Sequence, residues 1–390
     1  MTPSVRDIER PLGQTDTGSR GGSRFALSPS AIGSGLVAVC LIAVSGAIAL
    51  RDKPFRNPTV TAVATPDVTG PAAPDPQAAE APSHLAPAVR GTGPSIIKVD
   101  PEEASDGKGV IVIHDPSTVG QNLSVAHLPD KALIEDSEVG PLPIRSIDGR
   151  RPADVYARPW SGTRGARVAI VIGGLGVSQT GTQQAVQKLP PEVTLAFAPQ
   201  GNSIGRWMQE ARREGHEIVM QVPLEPFDFP NVNPGRNTLT VEATPDENLT
   251  NLYWTLSRTT NYTGVMNYMG GRFVADPAAM TPLMEELGKR GLLYVDDGSS
   301  ARSVASDLAL KNRVPFAAGD LAIDGERDRG AILKKLDQLE ATARAKGFAV
   351  GTGSAFDVTV DAVQSWVAEA KKRGIEIVPI SAVTIDPEKG

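Results

Sequence analysis

Histidine and cysteine are almost missing from this chain. Its 390 residues carry four histidines, His84, His114, His127 and His216, and one cysteine, Cys40. A single thiol excludes an intrachain disulfide. Beyond residue 127 only His216 remains. A zinc hydrolase site takes two imidazoles with a carboxylate, and a Ser/His/Asp triad takes a histidine base, so neither is expected in that part of the chain. Basic excess is missing as well. The formal net charge of −6 leaves no broad cationic face for nucleic acid.

Nucleotide signatures are also absent. The turn Gly173-Gly174-Leu175-Gly176 invites a dinucleotide reading, but Gln179 stands where a third glycine belongs. No phosphate loop ending in Gly-Lys-Ser or Gly-Lys-Thr occurs. No nucleotide and no other cofactor is therefore expected.

What is present is unevenly spread. Residues 1–30 are polar, with Arg6, Arg10, Arg20 and Arg24 among Ser, Thr and Gly, and read as a cytoplasmic tail. Residues 31–50 run without a charge. A helix of that length, rising ~1.5 Å per residue, spans the ~30 Å hydrocarbon core of a bilayer. We read it as an uncleaved anchor. A cleaved signal is the rival, although a 30-residue polar lead is long for one. Residues 51–94 are rich in Pro and Ala and poor in large apolar side chains, the composition of an exported linker. The expectation is a single-pass inner-membrane protein with its C-terminal domain in the periplasm. Residues 95–165 form a turn-rich accessory segment, with short strands expected at 96–99 and 110–113.

From about residue 166 to 386 the pattern becomes regular. Strand-length apolar runs fall at 168–172, 194–197, 218–222, 264–267, 292–295, 314–317, 348–350 and 375–380. Helix-period segments lie between them at 180–188, 203–214, 245–260, 276–290, 301–311, 329–346 and 358–373. Gly215, Gly291, Gly347 and Gly374 each follow a last turn bearing Lys or Arg, a helix stop signal. Thr244-Pro245 and Asp276-Pro277 read as N-caps with Pro at the first helical position. Alternation at this spacing predicts an α/β fold with a mainly parallel sheet, a distorted (β/α) barrel, and functional groups past the strand C-termini.

Those strand ends carry Ile170-Val171-Ile172-Gly173-Gly174-Leu175-Gly176, Gln221-Val222-Pro223-Leu224-Glu225-Pro226-Phe227, Asn267-Tyr268-Met269-Gly270-Gly271-Arg272 and Asp296-Asp297-Gly298-Ser299-Ser300. In order and spacing, the stretch from Arg167 to Val383 resembles the divergent polysaccharide deacetylase family, relatives of the NodB-like carbohydrate esterases. The resemblance implies a polysaccharide-deacetylase-type barrel, a cell-envelope location and a link to carbohydrate metabolism. It also places metal ligands at positions held here by other residues. Gly173 and Gly174 stand where metal-bearing relatives have an Asp pair, and Gln221 and Tyr268 where they have histidines. Ser354 lies near the expected site of a further histidine. Glu225, Asn267, Met269, Gly270 and Asp296 match the pattern.

Two functional readings are open. The first is a metal-free, non-hydrolytic module binding an envelope polysaccharide or an envelope protein, with Gln221, Phe227, Asn267, Tyr268, Arg272, Asp320 and Ser354 as candidate contacts. The second is a carbohydrate hydrolase rebuilt on Glu225, Asp296 and Asp297, acting as paired carboxylates or as oxygen ligands of a hard cation. Against both stands a structural role. Asp296 and Asp297 would cap a turn, Glu225 would pair with Arg272, and the aromatics would pack loops.

Overall fold

The computed structural model describes residues 120–389. The polar tail, the anchor at 31–50, the linker and the strands expected at 96–99 and 110–113 lie outside the described residues. Among the described residues no helix is long and apolar enough to cross a membrane.

Regular alternation begins at β3 (Arg167–Leu175) and continues through α2 (Gln179–Lys188), β4 (Thr194–Phe197), α3 (Ile204–Arg213), β5 (Ile218–Leu224) and α4 (Pro245–Leu256). It goes on with β6 (Gly264–Met269), α5 (Pro277–Arg290), β7 (Leu293–Asp296), α6 (Ala305–Lys311), β8 (Phe316–Ala318) and β9 (Leu321–Ala322). The last elements are α7 (Arg329–Lys346), β10 (Phe348–Ser354), α8 (Asp357–Lys372) and β11 (Glu376–Val378). All strands of this sheet pair in parallel, in the order β8-β7-β6-β5-β4-β3-β10-β9, with β11 beside the first residues of β3. The sheet curls in the manner of a deacetylase-type (β/α) barrel.

Burial on both faces explains why the strands read as continuous apolar runs. Val168, Ile170 and Ile172 of β3 join the larger core between sheet and helices, whereas Ala169 and Val171 join the smaller one inside the curl. The inner cluster uses mostly small or branched side chains, among them Ala196, Val219, Val295, Ala317 and Val350. The helix boundaries follow the expected chemistry. Thr244 and Glu247 form a reciprocal capping box on α4, and Asp276 accepts from the amides of Ala278 and Ala279 at the start of α5. Gly291 and Gly347 end α5 and α7 with φ of 70° and 90°, which a side chain would disfavour.

Four expectations need correction. The helix expected to run to residue 260 stops at Leu256, and the one expected from 301 starts at Ala305. The strand expected at 314–317 falls at Phe316–Ala318, which pairs with β7, and a further short strand that was not expected, Leu321–Ala322, follows it and pairs with β10. The break between them falls at Gly319, where a Cβ would lie 2.7 Å from the carbonyl oxygen of Asp297. Finally, the accessory segment holds an antiparallel hairpin, β1 (Ile134–Ser137) and β2 (Gly140–Pro143), followed by the short helix α1 (Pro152–Val155). Pro141 and Pro143 mask that second strand, because Pro donates no ladder bond and reads as a breaker.

The accessory segment is tied to the barrel by polar contacts. Arg290 pairs with Glu135 at 2.8 Å, and the buried Arg212 guanidinium donates to the carbonyls of Ala126 and Tyr156. Arg151, also buried, forks onto Asp154 and Asp386 and so fastens the C-terminus to α1.

Candidate functional site

Past the C-terminal ends of the strands opens a cleft of about 1100 Å³. Its floor is built by β3 and β5. Gln221 is 6% exposed, and its Oε1 accepts from the amide of Gly174 at 2.8 Å. The fit needs glycine at 173, since a Cβ there would stand 2.6 Å from Gln221 Nε2. Nε2 itself makes no hydrogen bond to any described residue. An unused donor therefore faces the cleft.

One wall comes from β5 and β6. Phe227 packs over the face of Gly271, where a Cβ would stand 3.1 Å from the ring. It remains 62% exposed, and Tyr268 is 37% exposed. Met269 and Gly270 both have positive φ, turning the chain sharply after Tyr268. Asn267 is buried and held at both ends of its amide: Nδ2 donates to the Met269 carbonyl and Oδ1 accepts from the Asp297 amide. It fixes two rims to each other.

The opposite wall gathers the ends of β7, β9 and β10. Asp297 lines it and accepts from the Ser299 amide at 2.8 Å. Asp324 Oδ2 accepts from the Ser354 amide and the Thr359 hydroxyl. Arg327 lies with its guanidinium carbon 3.7 Å from the ring centroid of Phe356, and Asp357 opens α8 beside it. Asp324, Arg327, Phe356 and Asp357 were not expected from the sequence. Only the break after β8 brings Asp324 and Arg327 to the cleft, although the Asp-opened helix at 357 was a readable signal.

Six of the ten candidate residues line the cleft: Gln221, Phe227, Asn267, Tyr268, Asp297 and Ser354. The other four do not. Glu225 is 2% exposed, pairing with Arg272 at 2.5 Å and accepting from the Val241 amide at 2.6 Å. Arg272 also holds Glu242, so its guanidinium is committed to this loop contact. Asp296 is 3% exposed and turned inward, accepting from the Gly298 amide and from the Ser303 hydroxyl. Burial pushes its carboxyl above the usual range, with those two bonds pulling the other way. Asp320, expected on the functional face, instead accepts from the Val350 amide and pairs with Lys346 at the end of α7. The strand break turns it toward the start of β10.

His216 is sealed elsewhere. Its ring nitrogens face the carbonyls of Val193 and Val186 at 2.9 and 3.2 Å, before β5 begins. Burial lowers its pKa. At the positions where the resemblance places metal ligands stand two glycines, an amide, a phenol and a hydroxyl. Zinc takes imidazole, thiolate and carboxylate donors, so this set does not fit it. Among the described residues no three of His, Cys, Asp and Glu come together as a cation site.

A profile of the divergent polysaccharide deacetylases matches residues 170–384, the span that builds this curled sheet and cleft. The chain belongs to that family. A solved structure of an uncharacterized protein from Agrobacterium tumefaciens C58 is 55% identical, covers 63% of this chain and 99% of its own, and superposes with a TM-score of 0.62. An uncharacterized protein of Haemophilus influenzae is 24% identical over 200 residues, 51% of this chain and 70% of its own length. The uncharacterized protein YibQ of Escherichia coli K12 is 22% identical over 222 residues, 57% of this chain and 68% of its own.

Proposed function

We propose that this family member binds a cell-envelope polysaccharide in its cleft without a metal and without hydrolysing it. It would be held at the inner membrane by residues 31–50, with the barrel in the periplasm. The observation that carries the reading is the floor of the cleft. Gln221 and Gly174, at positions the family resemblance assigns to metal ligands, close on each other, yet the cleft above them stays open. Exposed aromatic faces at Phe227 and Tyr268 suit the apolar face of a sugar ring, and the unused Gln221 amide suits a hydroxyl or carbonyl acceptor.

The rebuilt-hydrolase reading draws less support. Paired-carboxylate chemistry needs two carboxyl groups flanking one bond. Of Glu225, Asp296 and Asp297, on which that reading rests, only Asp297 faces the cleft, and the two further acids that line it, Asp324 and Asp357, stand on the same wall as Asp297 rather than across from it. The test is calorimetric titration of the full-length protein with peptidoglycan fragments and acetylated oligosaccharides, alongside assays for released acetate and reducing sugar. Saturable binding with no release is expected. Turnover would overturn the reading, and absence of binding across the panel would leave only an envelope-protein partner.

A further inference from the structure

The titratable side chains of the cleft are unevenly signed. Asp297, Asp324 and Asp357 follow β7, β9 and β10; β9 pairs with β10, and Gly319, lying against both the Asp297 carbonyl and Thr352 of β10, brings the end of β7 beside them, while Arg327 is the sole cation among the described lining residues. None of the four makes an ion pair among the described residues. The bonds that Asp297 and Asp324 do make involve one oxygen each, Oδ1 to the Ser299 amide and Oδ2 to the Ser354 amide and Thr359 hydroxyl. A second oxygen on each remains available. Asp357 stands in the first turn of α8, where the helix dipole offsets part of its charge, so Asp297 and Asp324 carry most of the field.

Three carboxylates without an ion-pair partner leave this rim net negative, which favours a bound cation. A bare metal ion is poorly served, because the acids do not converge as a chelating group. The second observation is the Gln221 amide, 94% buried by its 6% exposure and offering an unpartnered N–H to the same cavity. The ligand must then offer an acceptor to the floor, a cation to one rim and an apolar face to Phe227 and Tyr268.

Resting on the saccharide reading, we infer that the cleft selects an amine-bearing saccharide, one whose ring nitrogen substituent is a free, protonated amine rather than an acetamide. The ammonium group sits against the Asp297–Asp324–Asp357 rim, a ring hydroxyl accepts from Gln221, and the ring face lies on the aromatic wall. Arg327, stacked on Phe356, opposes this charge and sets an upper limit on the preference.

The test compares a β-1,4-linked glucosamine hexamer with its fully N-acetylated counterpart, titrated into the full-length protein at about pH 6, where an amine is protonated. The amine form is expected to bind about tenfold more tightly, with the gap narrowing as salt is added. Asp297→Asn should weaken only the amine form, by roughly fivefold, and Asp357→Asn should weaken the same form by less. Arg327→Gln should strengthen it, and this opposite sign keeps the test decisive should an aspartate variant fold poorly. Equal affinity for the two hexamers, or preference for the acetylated one, overturns the inference while leaving a saccharide site. Binding of neither overturns the saccharide reading together with it.

Discussion

Gln221 Oε1 and the Gly174 amide lie 2.8 Å apart, and Gly173 beside them leaves room for the Gln221 amide and for nothing else. Three positions on two strands are thereby coupled. Any side chain at 173 displaces Gln221, and any shortening of Gln221 removes the acceptor of the Gly174 amide. This coupling makes the floor of the cleft a mutually dependent unit.

Gly173→Ala is expected to destabilise the fold by about 1–2 kcal/mol through overpacking against a buried side chain. Gln221→Ala leaves the Gly174 amide to water and costs about 1 kcal/mol. The double variant should cost clearly less than the two single effects combined, because the methyl then occupies space the amide vacated. Urea unfolding of the four proteins measures this. Additive costs would show that the two positions do not share that space.

Phe227→Ala and Tyr268→Ala should leave stability within about 0.5 kcal/mol, as expected for exposed side chains. Saccharide binding should fall by roughly tenfold for each, read by calorimetry. A stability loss without a binding loss would instead mark these rings as loop packing.

Glu225 and Asp296 are expected to behave as structural acids. Glu225→Ala removes the buried acceptor of the Val241 amide and should cost about 1–3 kcal/mol in urea unfolding. Asp296→Asn keeps an acceptor for the Gly298 amide and should fold. Its saccharide affinity should match that of the unaltered protein, in contrast to Asp297→Asn. A selective loss of binding in Asp296→Asn would return this residue to the site.

The C-terminal clamp predicts the acid sensitivity of the fold. Burial raises the Asp154 and Asp386 carboxyls, but hydrogen bonds and charge from Arg151 outweigh it and hold both below the usual carboxylate range. The folded state therefore binds these protons less readily than the unfolded chain. The resulting stability is present above the ordinary carboxylate pKa of ~3.9 and is lost as pH falls through the lowered values. Asp386→Asn should flatten the slope of stability against pH in that window, measured by thermal melting between about pH 5 and pH 2.5. An unchanged slope would place the acid-labile groups elsewhere.

Much of this protein was legible along the chain. Strand 194–197 and helix 329–346 were bounded to the residue, because apolar run length and the terminal Gly347 are local signals, and the structure adds an N-cap at Asp328, whose side chain accepts from the Ala331 amide. Composition alone left a single histidine, His216, past residue 127. Residues 1–119 were read only from sequence and lie outside the described residues.

What the tertiary structure alone decided is which way acids and amides turn. Glu225, Asp296 and Asp320 sit at strand ends like Asp297, and nothing in their spacing separates them. The distinction arises from contacts remote in sequence: Arg272 and Val241 for Glu225, Ser303 for Asp296, and Val350 and Lys346 for Asp320. The break at Gly319 likewise brings Asp324 and Arg327 to the rim. Local propensity sets where strands and helices begin and end. Curling of the sheet, which depends on contacts remote in sequence, sets which side chains are left facing the cleft.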